Sequence, residues 1–253
     1  MNSEVTTRSV ELADKGGHFY CADFQVHTPR DTQWDGARPA DRDAWADVFV
    51  AKARERGLDA VAISDHHDFA YFPHIKKAAD REKLPDGTDV LEADRLIVFP
   101  ALELTLSVPC QAIMILDADF PEDRLDDVLK AMHFDPVDRT LEALPQTTVL
   151  PDSGDINLLH QKLDKNEWLK GRYIILPNVT PKGHKTLLRE SFQVKFRTMT
   201  SVGGYLDGPI TELERQKYVG EKRILDGLDK NWGSKRLALF QTCLLYTSDA
   251  ADE

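Results

Sequence analysis

Cysteine and long apolar runs are scarce in this sequence. Among its 253 residues are three cysteines, Cys21, Cys110 and Cys243, which are too few and too scattered for a disulfide framework or a Cys-x-x-Cys zinc site. No apolar run reaches the roughly 18 residues of a membrane-spanning helix. The polar leader, residues 1–17, lacks the basic and apolar regions of a secretion signal. These absences predict reduced thiols and a cytoplasmic protein without membrane spans.

Basic charge is also in short supply. Acidic residues outnumber basic ones by 43 to 32, and the formal net charge is -11. Such a surface repels a nucleic-acid backbone rather than attracting it. Phosphate chemistry in this protein would therefore need metal ions or a local basic pocket. The hydrophobic content of 42% is sufficient for one large core.

Apolar periodicity predicts alternating strands and helices. Strand patterns cover residues 18–28, 58–64, 95–108, 111–120, 172–180 and 235–242. Helical patterns cover residues 41–57, 72–84, 156–171 and 212–228 and the segment after Pro121, while residues 134–155 are predicted to form a loop. This alternation predicts an α/β fold with a mostly parallel barrel or sheet, and active residues at the carboxyl ends of its strands.

Polar side chains interrupt or follow the predicted strands at four places. These are residues 23–28, residues 64–68, Glu103 within an apolar strand, and residues 178–184. Alternation along a strand places Gln25 and His27 on one face, and Glu103 opposite Leu102 and Leu104. Imidazole and carboxylate groups are suitable ligands for zinc, manganese or iron. Each cluster alone is also typical of a solvated strand face or a polar loop, but together they favour a metal-dependent hydrolase.

Three segments then occur in the order and form of a known family. They are Asp23-Phe24-Gln25-Val26-His27-Thr28, the run from Gly57 to His66 (GLDAVAISDH), and the run from Pro100 to Thr105 (PALELT). They resemble the motifs of the polymerase and histidinol phosphatase (PHP) domain family. The resemblance covers residues 19 to about 120 well and residues 120–242 loosely. It is strongest to PHP domains found at the amino end of larger AAA-like or SMC-like ATPases.

The resemblance implies a fold, an activity and a ligand set. The fold would be a distorted, TIM-like (β/α)₇ barrel over residues 18–242, truncated at its carboxyl end. The activity would be hydrolysis of a phosphate ester, in a small molecule or nucleic acid, with one or two divalent ions of manganese, zinc or magnesium. By motif, His27, His66 and Glu103 would be metal ligands, Asp65 a ligand or an orienting group, and Gln25 and Asp35 further candidate ligands.

Several other polar residues have two interpretations. His67 and Asp68 could transfer protons beside the metal ligands, although a crowded polar turn explains them equally well. Lys182, His184 and Lys185 open a predicted helix and could contact a substrate phosphate, or they could form a solvated face. His160 lies on the apolar side of its predicted helix, where a hydrogen-bonded packing role is expected.

Three positions depart from the family pattern. Gln25 and Gln111 stand where the family has imidazoles, and Leu176 precedes Pro177 where the family has histidine. Neutral amides seldom replace imidazoles as zinc ligands. The alternative hypothesis is therefore a catalytically degenerate PHP module that serves as a regulatory or binding platform for an ATPase domain.

Residues 243–253 read CLLYTSDAADE, which resembles the translation of a common sequencing-adapter end. We expect this tail to be foreign and the natural reading frame to be cut at about Thr242, although a natural frayed terminus is the alternative. Ser248 and Asp249 imitate the last family motif, Ser-Asp-x-His. Because they lie within this tail, they are not taken as site residues.

Overall fold

The fold is known from a computed structural model, which describes residues 20–31, 34–107, 110–134, 149–150, 156–180, 203–206 and 238–242. These ranges contain seven strands and four α-helices. The strands are β1 (Ala22–Val26), β2 (Ala60–Ile63), β3 (Ile97–Thr105), β4 (Gln111–Leu116), β5 (Tyr173–Pro177), β6 (Gly203–Leu206) and β7 (Ala238–Gln241). The helices are α1 (Arg42–Glu55), α2 (Phe72–Asp80), α3 (Leu125–Ala131) and α4 (Ile156–Leu163). None of these helices has the length and apolar character needed to cross a membrane.

Local chemistry sets the ends of the first two helices. The Asp41 carboxylate caps α1 by accepting a hydrogen bond from the Ala44 backbone N–H at 3.0 Å. Gly57 follows α1 with a φ of 73°, which glycine adopts without steric cost. The helix predicted over residues 72–84 ends at Asp80, because the chain then turns and Lys83 pairs with Asp89 in an isolated antiparallel bridge.

The strands form two sheets of different size. A five-stranded sheet has the order β1-β2-β3-β4-β5, and a two-stranded sheet pairs β6 with β7. Strands β1, β2 and β3 are parallel, whereas β4 is antiparallel to both of its neighbours. Only residues 106–110 connect β3 to β4, too few for the crossover that a parallel pair requires. The α/β class is confirmed: β1 to β3 and the pair β6–β7 are parallel, and β4 makes the large sheet mixed.

A closed TIM-like barrel is not shown. Within the described residues, no ladder joins β5 to β6 or β7 to β1. Single contacts do link the two sheets: the Val179 N–H donates to the Tyr205 carbonyl at 2.9 Å, and Thr242 Oγ1 lies 2.7 Å from Gln25 Oε1. The small sheet therefore lies beside both edges of the large sheet, without the continuous hydrogen bonding of a barrel.

The two faces of the large sheet contribute to separate apolar clusters. The larger cluster joins one face to all four helices, through residues such as Val50, Ile75, Val128 and Leu159. The smaller cluster takes at least one side chain from each of the seven strands; it contains Phe24, Ala62, Phe99, Ala101, Ile113, Ile115, Leu176, Tyr205 and Phe240. The sheet is thus packed on both faces, and polar side chains collect where β1, β2 and β3 end.

Candidate metal centre

A tight turn follows β1 and brings a second acidic residue back to His27. The Asp31 N–H donates to the Thr28 carbonyl at 2.9 Å, and Pro29 has the fixed φ that favours the second position of such a turn. As a result, Asp31 Oδ2 lies 3.2 Å from His27 Nδ1. The turn converts a separation of four residues into a direct side-chain contact.

The loop after β2 is held against this turn by buried side chains. Asp65 accepts two hydrogen bonds from Thr28, one from the backbone N–H at 2.7 Å and one from the hydroxyl at 2.6 Å. Arg30, which is 0% exposed, forms an ion pair through Nε with the Asp68 carboxylate. The loops after the two neighbouring strands therefore form one buried polar unit.

Two parallel imidazoles lie between two carboxylates in this unit. The His27 and His66 rings are stacked, with centroids 5.5 Å apart and an angle of 11° between the planes. On one side, Asp31 Oδ2 lies 2.7 Å from His66 Nδ1. On the other side, Glu103 Oε2 lies 3.0 Å from His27 Nε2 and 3.9 Å from His66 Nε2.

Strand β3 supplies Glu103 from within an apolar stretch. The strand's alternation turns Leu102 and Leu104 into the larger apolar cluster, so Glu103 points to the opposite face, as the sequence predicts. The Glu103 N–H donates to the Ser64 carbonyl at 3.2 Å, and Glu103 pairs with His66 in an isolated parallel bridge. The backbone therefore fixes this buried carboxylate beside the loop that carries His66.

The charges of the cluster are strongly coupled. Burial alone would lower the pKa of His27, but hydrogen bonds and charge from Asp31 and Glu103 outweigh it and raise that pKa well above its usual value. Burial would raise the pKa values of Asp31 and Glu103, yet their contacts with the imidazoles hold both below the usual range. Burial raises the pKa of Asp65 to about 7. The site thus favours a positive charge between its carboxylates.

The donor atoms fit a divalent metal ion. His27, His66 and Glu103 each offer one ligand atom, and these atoms lie within 4.8 Å of one another. His66 Nε2 is buried and has no hydrogen-bond partner among the described residues, so the geometry leaves one imidazole nitrogen available to a cation. Two imidazoles and a carboxylate are a donor set found with zinc, manganese and iron. His27, Asp31 and Asp65 form a second, overlapping group within the same distance.

Asp35 belongs to neither group, and the Gln25 side chain is engaged by a residue outside them. Gln25 is buried, and its side-chain oxygen lies 2.7 Å from the Thr242 hydroxyl, so it links β1 to the small sheet. Asp35 is exposed on the chain that leads to α1. Their positions in or near the first motif make both residues candidate ligands. The position of a residue in a motif does not determine which partners its side chain contacts.

The two candidate proton-transfer residues have structural partners. His67 has a φ of 55° and stacks on Phe134 with ring centroids 4.2 Å apart. Burial lowers the pKa of His67 to about 4. Asp68 is engaged by Arg30 through one oxygen and by the Ala70 N–H, at 2.7 Å, through the other. Their contacts favour the packing interpretation, while Lys182, His184 and Lys185 lie outside the described residues.

Asp31 and Arg30 are the members of the cluster that sequence reasoning missed. Neither falls in a strand or helix period, and Asp31 follows the motif residue Thr28 by three positions. The available signal was the Thr28-Pro29-Arg30-Asp31 sequence itself, which is typical of a turn with proline at its second position. Such a turn returns its fourth residue to the neighbourhood of the first.

Comparisons with known proteins find structural likeness only at low identity. No family model and no curated protein matches the sequence. A Bifidobacterium adolescentis protein described as a metal-dependent phosphoesterase is 19% identical with a TM-score of 0.28, over 45% of this chain and 32% of that one. PsfC from Pseudomonas syringae is 17% identical with a TM-score of 0.44, over 87% and 74% of the two chains.

A third similar structure is the lesion-specific endonuclease PfuEndoQ from Pyrococcus furiosus. It is 9% identical with a TM-score of 0.47, over 88% of this chain and 47% of the endonuclease. The present chain therefore spans about a third of the length of the phosphoesterase and about half that of the endonuclease. Likeness at this level assigns no activity. The fold and the cluster together define a mixed α/β protein with a candidate metal centre at the carboxyl ends of β1 and β2 and within β3.

Proposed function

We propose that this protein is a metal-dependent phosphoesterase that hydrolyses a phosphate ester, with His27, His66 and Glu103 as the metal ligands. The supporting observation is the convergence of two imidazole nitrogens and one carboxylate oxygen within 4.8 Å of one another, in a buried setting. The resemblance of the three motif segments to PHP domains supports the same class of reaction. The site would hold one or two divalent ions, of manganese, zinc or magnesium.

A bound divalent ion would supply Lewis-acid polarisation of a phosphoryl oxygen and a water of lowered pKa. The residues of the chain supply the frame for that chemistry. Glu103 faces both Nε2 atoms from β3. Asp65 holds the turn after β1 through Thr28, and Arg30 holds the loop after β2 through Asp68. Lys182, His184 and Lys185 stay predictions for contacts with the substrate phosphate.

The decisive experiment combines metal analysis with hydrolysis. The purified protein is assayed for bound metal by elemental analysis, and for manganese-dependent cleavage of bis(p-nitrophenyl) phosphate and p-nitrophenyl phosphate. His27→Ala and Glu103→Ala remove proposed ligands. His74→Ala and Glu92→Ala are matched controls, because these side chains belong to the surface of α2 and to an exposed short helix.

We expect stoichiometric metal in the wild type and in both controls. Removing residues that only orient metal ligands already costs about 10- to 100-fold in affinity or activity. Loss of a ligand itself should therefore lower hydrolysis by at least about 100-fold. A folded wild-type protein with neither bound metal nor activity would overturn the proposal.

A degenerate module is the second candidate, and it has its own supporting observations. The Gln25 amide oxygen is engaged by Thr242, and Leu176 is packed in the smaller apolar cluster. Gln111 is paired with Thr105 at the start of β4. Three positions that carry imidazoles in the family thus supply no imidazole here. In this case the protein would act as a binding platform for an ATPase domain of a larger chain, and the folded protein would be free of metal and inactive.

A further inference from the structure

We infer that Asp31 is the positioning residue of the candidate metal centre: it accepts hydrogen bonds from Nδ1 and from the backbone N–H of His66 and lies in ion-pair contact with Nδ1 of His27, and so directs both Nε2 atoms toward Glu103. The inference rests on the proposed function and names the residue that prepares its ligands. It assigns a role to a side chain that lies outside the three family motifs.

One carboxylate oxygen collects three nitrogen contacts. Asp31 Oδ2 lies 2.7 Å from His66 Nδ1, 3.2 Å from the His66 backbone nitrogen and 3.2 Å from His27 Nδ1. An ionised carboxylate only accepts hydrogen bonds, so the two His66 nitrogens that bond to it must each carry a proton. A neutral imidazole has a single N–H, and a proton on Nδ1 leaves the lone pair of His66 on Nε2.

The two rings therefore present the same edge to Glu103. Their planes differ by 11°, and in both rings Nδ1 faces Asp31 while Nε2 faces Glu103. Histidines that bind a metal through one nitrogen almost always donate the other N–H to a carboxylate, a carbonyl or a water. Asp31 occupies that outer position for His66 and also lies 3.2 Å from Nδ1 of His27.

The alternative, in which Asp31 itself binds metal together with His27 and Asp65, is less well supported. Both Asp65 oxygens already accept hydrogen bonds from Thr28, at 2.7 and 2.6 Å. Asp31 Oδ2 is likewise committed to N–H groups of His66. A metal bound through Asp65 or through Asp31 Oδ2 would have to compete with these bonds, whereas His66 Nε2 has no hydrogen-bond partner among the described residues.

The backbone holds Asp31 in place independently of its side chain. Its N–H donates to the Thr28 carbonyl at 2.9 Å, and its carbonyl accepts from the Trp34 N–H at 3.2 Å. The ion pair between Arg30 and Asp68 anchors the same turn. We therefore expect substitutions of Asp31 to change the imidazoles while the turn keeps its shape.

The test compares Asp31→Ala and Asp31→Asn with Asp80→Ala, an exposed aspartate on α2 paired with Lys76. The first readout is the ¹⁵N NMR spectrum of the His66 side chain in metal-free protein, which reports which ring nitrogen carries the proton. The second is calorimetric titration with Mn²⁺. Asparagine retains an acceptor oxygen without the charge, so it separates hydrogen bonding from metal ligation.

We expect the His66 proton on Nδ1 in the wild type, in Asp31→Asn and in Asp80→Ala, and on Nε2 in Asp31→Ala. Affinity for Mn²⁺ should fall by about 10- to 100-fold in Asp31→Ala and by less in Asp31→Asn. If the Asp31→Ala protein does not fold, Asp31→Asn still tests the inference. If Asp31 were a direct metal ligand, Asp31→Asn would lose as much affinity for Mn²⁺ as Glu103→Gln.

Two results would overturn the inference. One is an Asp31→Ala protein with the His66 proton still on Nδ1 and unchanged affinity. The other is a loss of Mn²⁺ binding in Asp31→Asn equal to that in Glu103→Gln. The NMR readout needs neither metal nor substrate. The expected change of tautomer in a protein that hydrolyses nothing would therefore contradict the proposed function and leave the role of Asp31 intact.

Discussion

Histidines are set among polar partners in two separate regions of this protein, and the charge balance of the two regions differs. In the metal-centre cluster, two imidazoles share their surroundings with three buried carboxylates, those of Asp31, Asp65 and Glu103. In the second region, His160 of α4 donates through Nδ1 to the Tyr173 hydroxyl at 2.9 Å and stacks on the same ring at 5.3 Å. That hydroxyl in turn donates to Asp164 at 2.8 Å.

This difference in charge balance distinguishes a histidine with a packing role from the histidines of the candidate metal centre. A single chain of hydrogen bonds from histidine to phenol to carboxylate accounts for His160, and its neighbours carry one acidic group. The metal-centre cluster instead buries three carboxylates beside two imidazoles, and buried charges are costly unless they are paired. Strongly perturbed titratable groups held together by specific partners are typical of functional sites.

The largest expected effect on stability comes from breaking the ion pair that holds the metal-centre loops together. Arg30→Met leaves the Asp68 carboxylate buried beside an apolar side chain. Removing one partner of such a pair costs about 3–5 kcal/mol in the free energy of unfolding. Equilibrium unfolding in urea measures this loss, and adding Asp68→Asn to Arg30→Met should recover most of it, because the uncompensated charge is gone.

The matched control is the exposed pair between Arg81 and Asp47. Arg81 donates to both Asp47 oxygens at 2.7 and 2.8 Å, and both side chains are about half exposed. Exposed pairs contribute about 0–1 kcal/mol, so Arg81→Met should be nearly neutral. Equal losses in Arg30→Met and Arg81→Met would mean that burial does not distinguish the metal-centre region energetically.

An intermediate effect is expected at Asp65, where ligand and orienting roles predict different outcomes. Asp65→Ala leaves the Thr28 N–H and hydroxyl without their acceptors, which costs about 1–3 kcal/mol. Asp65→Asn keeps an oxygen for the Thr28 N–H, so it should cost less. If Asp65 only orients the turn, Asp65→Asn binds Mn²⁺ almost as tightly as the wild type in a calorimetric titration.

A loss of Mn²⁺ binding in Asp65→Asn, in a protein of near wild-type stability, would contradict this. It would mean that Asp65 is a metal ligand rather than a residue that only orients the turn. The comparison between Asp65→Asn and Asp65→Ala is needed, because alanine alone would mix a loss of folding with a loss of ligation.

Much of the fold within residues 20–134 could be predicted from the sequence because local patterns determine it. Alternation placed Glu103 opposite Leu102, and the cap at Asp41 with the glycine at position 57 bounded α1. The partners of β4 could not be predicted in full, since Ile113 pairs with Leu176 across a long separation. The contacts between the two sheets likewise join distant segments, such as Gln25 with Thr242.

The site residues divide in the same way, into those that local sequence patterns predict and those that depend on contacts between distant segments. His27, His66 and Glu103 meet as the sequence predicts, because the carboxyl ends of parallel neighbouring strands lie at one edge of a sheet. Arg30 and Asp68 are 38 residues apart in the chain, and no periodic pattern connects them. The turn sequence alone predicts that Asp31 lies near Thr28. The contact of Asp31 with His66 depends in addition on the loop after β2, which packs against this turn.

The smallest effect concerns the second region and its dependence on pH. Burial lowers the pKa of His160, and its Nε2 is buried without a hydrogen-bond partner among the described residues. As pH falls through the ordinary histidine range near 6.5, the unfolded chain binds a proton that the folded protein does not. The stability contributed at this position is therefore present at higher pH and is lost as pH falls.

His160→Gln should remove that pH dependence and cost about 0.5–1.5 kcal/mol at neutral pH through the lost hydrogen bond. Unfolding free energies measured on both sides of the histidine range test this. Tyr173→Phe is the companion variant, because it keeps the stacked ring and removes only the hydroxyl; it should lower stability at neutral pH while the pH dependence persists. If the pH dependence of the unfolding free energy is unchanged in His160→Gln, a group other than His160 causes it. The comparison of the charges around the histidines of the two regions would then fail.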